Sequence, residues 1–117
     1  MLHIESEDLQ GIPVVYLSGE FEPGDTESFR RYIFDLADQL SENRMIIDLV
    51  NLDRPCSGAL RIMVLLQRKL QLLDGQLVVT GAQGPVDEFI RLTGVDKLLD
   101  TGPCAAAAAS RLETSTA

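Results

Sequence analysis

Polar and apolar positions divide the chain into segments of two different periods. Leu2-His3-Ile4-Glu5 alternates apolar and polar, the signature of a half-buried strand. After a turn around Gly11, Pro13-Val14-Val15-Tyr16-Leu17 is a second, more apolar strand. The connection between them is short, so the two form an antiparallel pair. Glu22-Pro23-Gly24-Asp25 is a turn cluster that opens a helix, with Asp25 or Thr26 as its cap. Phe29, Ile33, Leu36, Ala37 and Leu40 then share one helical face, while Arg30, Arg31, Asp35 and Asp38 fall on the wetter sides. This helix ends near Ser41-Glu42-Asn43, and Met45 to Val50 reads as a buried strand followed by a polar turn, Asn51 to Pro55.

The next helix, Ser57 to Leu73, has a different character. From Leu60 to Leu66 every residue except Arg61 is apolar, so one stripe packs on the sheet and the remainder is covered by another element or offered to a partner. Asp74-Gly75 stops it, with Gly75 suited to a left-handed turn. Gln76 to Thr80 is a further strand, and strand, helix, strand makes a βαβ unit with parallel strands and a right-handed crossover. Gly84-Pro85 opens a shorter helix carrying Val86, Phe89 and Ile90 on one face, and Thr93-Gly94 closes it. Val95, Leu98 and Leu99 are expected to return to the core as one more turn or a short edge strand. After Pro103, Cys104 to Ala109 reads as a last helix with little side-chain substance to bury, and residues 113–117 as a flexible tail beyond a single domain over residues 1–112. The pattern predicts an α/β fold: a four- to five-stranded mixed sheet with an N-terminal antiparallel pair, covered by three to four helices.

Composition narrows the function. At 117 residues the chain has room for one core, and 45% hydrophobic with 24% charged residues describe a folded domain. A net charge of -8 argues against nucleic acid and anionic membranes as partners and favours a partner with a basic face. No secretory signal or membrane-length apolar run is visible, and two cysteines fit a reducing, cytoplasmic setting. The single histidine, His3, leaves little scope for a metal site or a catalytic triad, and no cofactor is expected.

Three groups of residues invite chemistry. Ser57 sits where a strand turns into a helix, so its hydroxyl is expected to cap the helix, and a phosphate there would be electrostatically welcome. Cys56 lies beside the same helix start, but without a base it reads as an inert small hydrophobe next to Pro55 rather than a nucleophile. Gly81-Ala82-Gln83-Gly84 lacks the lysine and glycine spacing of a nucleotide loop, and Asp8, Glu20, Glu22 and Asp25 read as solvated turn acids rather than a metal cluster.

The chain resembles the STAS domain of bacterial anti-sigma-factor antagonists. The resemblance runs from Leu17 to Leu99 on Leu17-Ser18-Gly19-Glu20-Phe21-Glu22, Ile46-Ile47-Asp48-Leu49, Asp74-Gly75-Gln76-Leu77 and Leu92-Thr93-Gly94-Val95. The family's motif of aspartate, serine, serine, glycine and leucine falls on Cys56-Ser57-Gly58-Ala59-Leu60. The resemblance implies a non-enzymatic binding module that sequesters an anti-sigma factor with serine-kinase activity. On this reading Ser57 is the phosphoacceptor, and Glu22, Cys56, Ser57, Gly58, Ala59 and Arg61 contact the partner. Cys56 replaces the family's aspartate, Gly58 its second serine and Ala59 its glycine. These changes keep open a domain that is not switched, such as a scaffold subunit of a signalling complex or a partner of a lipid-transport ATPase. A homodimer through the apolar helix also stays open.

Overall fold

A computed structural model of the chain describes residues 1–40 and 42–114. Nine elements follow in chain order: β1 (His3–Leu9), β2 (Ile12–Glu20), α1 (Thr26–Asp38), β3 (Arg44–Arg54), α2 (Ser57–Leu72), β4 (Gln76–Thr80), α3 (Gly84–Thr93), β5 (Asp100–Gly102) and α4 (Ala105–Thr114). Single 3-10 turns at Pro23–Asp25 and Val95–Lys97 precede α1 and β5. The five strands lie in one sheet in the order β1-β2-β3-β4-β5, the first pair antiparallel and the rest parallel.

Side-chain alternation along the central strands divides the core in two. Val15 and Leu17 of β2, Met45, Ile47 and Leu49 of β3, and Leu77 and Val79 of β4 face one side, where α1, α2 and α3 cover them. Ile12, Val14, Ile46 and Val78 face the other, where α4 lies. Burial on both faces explains why β3 and β4 read as nearly continuous apolar runs rather than alternating ones.

The alanine run is therefore a packing element. Ala105, Ala108, Ala109 and Leu112 are all buried against the back of the sheet. Small side chains let a helix backbone approach a sheet closely, so low volume here reflects proximity rather than a lack of contact. Arg44 at the start of β3 donates from Nη1 to the Leu112 carbonyl at 2.6 Å, anchoring the end of that helix. The helix continues through Thr114, and the rest of the expected tail, residues 115–117, lies outside the described residues.

Three local expectations are corrected. The segment Asn51 to Arg54 is strand rather than turn: two register shifts in the β2–β3 pairing bring Ser18, Gly19 and Glu20 opposite Asn51, Leu52 and Arg54, and Leu52 is buried. The stop of α2 uses Asp74, not Gly75, in the left-handed region (φ 60°), with Gly75 donating to the Leu70 carbonyl and Asp74 to that of Gln71. Gly75 is needed for space instead, since a Cβ there would lie 1.9 Å from the Asn43 carbonyl oxygen. Leu98 does not return to the core but is 53% exposed, whereas Leu99 is buried.

The head of helix α2 as a candidate recognition site

β3 ends at Arg54, and Pro55 carries the chain to Cys56, whose extended backbone (φ −143°, ψ 142°) makes it the residue flanking α2. The Cys56 carbonyl accepts from the N–H groups of Ala59 and Leu60, at 3.0 and 3.3 Å. Ser57 is already helical, so its hydroxyl does not cap; the side chain at the cap position is the Cys56 thiol, which makes no capping bond. The expectation of a Ser57 cap is overturned for this reason: α2 begins at Ser57 itself, and the cap position falls on the cysteine. Ser57 is exposed, and its hydroxyl forms no hydrogen bond among the described residues.

The other motif residues point in different directions. Gly58 backs onto the start of α1, where a Cβ at this position would meet Thr26 Oγ1 at 2.7 Å and Cγ2 at 3.2 Å. Ala59 is buried in the main core, at 1% exposure, and is corrected from a contact residue to a packing residue. A helix residue two positions after an exposed one turns about 200° away from it, which sends Ala59 inward. Arg61, four residues after Ser57, lies on the same exposed side.

Two open depressions flank the helix head. A cleft of about 410 Å³ brings Glu22 and Pro23 together with Arg54, Pro55 and Cys56. Glu22 is held in its turn by its own N–H, which donates to the Asp25 carboxylate at 2.9 Å. On the far side, a groove of about 310 Å³ runs from Ser57 past Arg61, Val64, Leu65 and Arg68 to Val95 and Leu98. The structure thus places Cys56 with Glu22 and Ser57 with Arg61, on two sides of one helix terminus.

The remaining candidates are dispersed. Asp8 accepts from Gly11 N–H at 3.2 Å and Glu20 pairs with Arg54 at 3.6 Å, each serving its own turn or strand. Among the described residues, no group of three or more His, Cys, Asp or Glu side chains is arranged to hold a metal. None of the helices there is long and apolar enough to cross a membrane. Sequence reasoning missed Arg68, and it named Thr26 only as a possible cap of α1, a position held by Asp25, not as the neighbour of Gly58. Arg68 had a legible signal, because it follows Arg61 by seven residues, two helical turns on the same face; the Thr26–Gly58 contact had none, since it depends on where α1 meets α2.

A STAS domain family model matches residues 3–108. The chain belongs to the STAS domain family. A search of curated proteins by sequence finds no significant match. Among solved structures, this STAS domain is similar to an anti-sigma factor antagonist from Mycobacterium paratuberculosis, with a TM-score of 0.83 at 27% identity over 97% of this chain and 95% of that one. It is also similar to TM1081 from Thermotoga maritima (TM-score 0.84, 14% identity, 94% of each chain). A third neighbour is the antagonist SpoIIAA in its unphosphorylated form (TM-score 0.82, 17% identity, 96% of this chain and 97% of that one). At those lower identities the second and third likenesses concern the fold.

Proposed function

We propose that this STAS domain is an anti-sigma-factor antagonist that binds an anti-sigma factor with serine-kinase activity through the head of α2, and that Ser57 is its phosphoacceptor. The observation that carries the reading is the exposed Ser57 hydroxyl, in the first turn of a long helix and, among the described residues, free of any internal bond. SpoIIAA, which shares the fold, is known in unphosphorylated and phosphorylated forms.

A phosphate on Ser57 adds about two negative charges next to the free N–H groups of α2, which tolerate an anion without refolding. The same charge obstructs a partner that must bury this surface, through repulsion and desolvation. The protein's part is recognition in the cytoplasm rather than catalysis.

The test pairs phosphorylation with binding. The host's anti-sigma kinase, incubated with ATP and the full chain, is expected to modify Ser57, read by mass spectrometry, and to leave Ser57→Ala unmodified. Ser57→Asp should bind the kinase roughly tenfold more weakly than the parent, as one desolvated like-charge contact would require. Equal binding of parent, Ser57→Ala and Ser57→Asp would overturn the switch and leave a constitutive STAS accessory protein.

A further inference from the structure

The groove beside Ser57 has a charge opposite to that of the molecule around it. The chain has 18 acidic and 10 basic residues, yet among the described residues the only charged side chains lining the groove are Arg61 and Arg68. Neither is engaged in an ion pair among the described residues. Between them stands Leu65, 44% exposed, and across from it Leu98, 53% exposed, with Val64 and Val95 half-buried below. The row Arg61, Leu65, Arg68 follows the i, i+4, i+7 line of one helix face, so the two guanidinium groups leave the helix about 10.5 Å apart along its axis.

We infer that this groove seats an acidic amphipathic helix of a partner protein, its apolar stripe on Leu65 and Leu98 and two carboxylates, two turns apart, on Arg61 and Arg68. An apolar floor between unpaired cations matches that ligand in both respects, since guanidinium groups bind carboxylates through paired N–H donors. A basic partner, which the overall charge favours elsewhere on the surface, is repelled here. Two copies joined groove to groove about a twofold axis would oppose arginine to arginine. The inference deepens the antagonist reading, on which it rests only for the identity of the partner.

The probes are two synthetic helical peptides with the same leucine stripe, one with glutamates spaced seven residues apart and one with lysines there, titrated into the 15N-labelled full chain. The acidic peptide should shift the amides of residues 60–68 and 93–98, and the lysine peptide should not. Arg61→Glu with Arg68→Glu should weaken the acidic peptide roughly tenfold, and the anti-sigma kinase by a similar factor. Both arginines are exposed, so thermal unfolding of this double variant should match the parent; Leu65→Ala gives a second, charge-neutral loss.

Equal responses to the two peptides, shifts elsewhere, or a concentration-dependent dimer that shifts the same amides without peptide would overturn the inference. If the kinase binds parent and double variant alike, the groove is not its seat and the antagonist reading stands. If the acidic peptide binds as described and the kinase binds neither protein, the groove stands and the antagonist reading fails.

Discussion

A Cβ on Gly58 would lie 2.7 Å from Thr26 Oγ1, so the heads of α2 and α1 touch through the one residue of the motif that has no side chain. In the family motif this position is a second serine; here the threonine of α1 fills the volume such a side chain would need. Gly58→Ser is therefore expected to destabilise the fold by about 1–3 kcal/mol through overpacking against a stiff β-branched neighbour. Adding Thr26→Ala should recover most of that loss, giving a coupling of roughly 1 kcal/mol or more in a double-mutant cycle followed by urea unfolding. If the single variant is neutral with Thr26 in place, the two helix heads are not in contact in solution.

Cys56 occupies the cap position with extended backbone and contributes no capping bond. Cys56→Asp supplies an acceptor for the unpaired N–H groups of the first turn and a charge matched to the helix terminus, so it should stabilise the domain by about 1 kcal/mol. Glu22 shares the neighbouring cleft and opposes a second carboxylate, while Arg54 in the same cleft offsets it. Cys56→Ser, which caps without the charge, separates the two effects: a gain from serine with none from aspartate would mean that repulsion from Glu22 outweighs the dipole.

The parts of the fold that depend on side-chain period were legible before any coordinates. Phe29, Ile33 and Ala37 are the buried face of α1, and Gly84-Pro85 and Gly94 bound α3. What the sequence hid depends on partners distant along the chain. Asn51 and Asp53 are turn formers by type, and only the register shifts of β2 make their segment a strand. Five alanines carry no periodic contrast, so their burial depends on what lies opposite, the row Ile12, Val14, Ile46 and Val78. At the site, Ser57 is exposed but does not cap α2, because a cap is defined by backbone geometry one residue away. Ala59 was misassigned because a motif position does not reveal which way a helix residue faces.

Asp48 is 4% exposed and Thr80 fully buried, and they meet between the middle of β3 and the C-terminal end of β4, where Thr80 Oγ1 donates to Asp48 Oδ2 at 2.7 Å. The other carboxylate oxygen accepts from Val50 N–H at 3.0 Å, within β3 itself. Thr80→Val keeps the shape and removes the donor, so it should cost about 1–3 kcal/mol. Asp48→Ala should cost more, since it leaves the Thr80 hydroxyl and the Val50 N–H without their acceptor and opens a small cavity. Chemical denaturation of the two variants checks the order; if Thr80→Val matches the parent, the hydrogen bond has no net weight in holding β3 to β4.

Tyr16 donates from its hydroxyl to Glu7 Oε1 at 2.6 Å across the β1–β2 pair. That bond, then burial, then the negative charges of Glu7 and Asp48 push its pKa up to about 12 from an ordinary 10.0. The unfolded chain releases this proton near 10, while the folded protein holds it to about 12, so between those values the folded state binds more protons than the unfolded one. Stability from this group is thus complete below about pH 10 and declines as pH rises through the folded value. Thermal unfolding should fall across that window, and less steeply in Glu7→Gln, which removes the charge facing the hydroxyl. Ultraviolet titration in a Tyr32→Phe background isolates the signal, because Tyr16 and Tyr32 are the two tyrosines of the chain. Glu7→Gln should bring the midpoint down toward its ordinary value; a parent midpoint already near 10 would mean that the Glu7 bond does not persist in water.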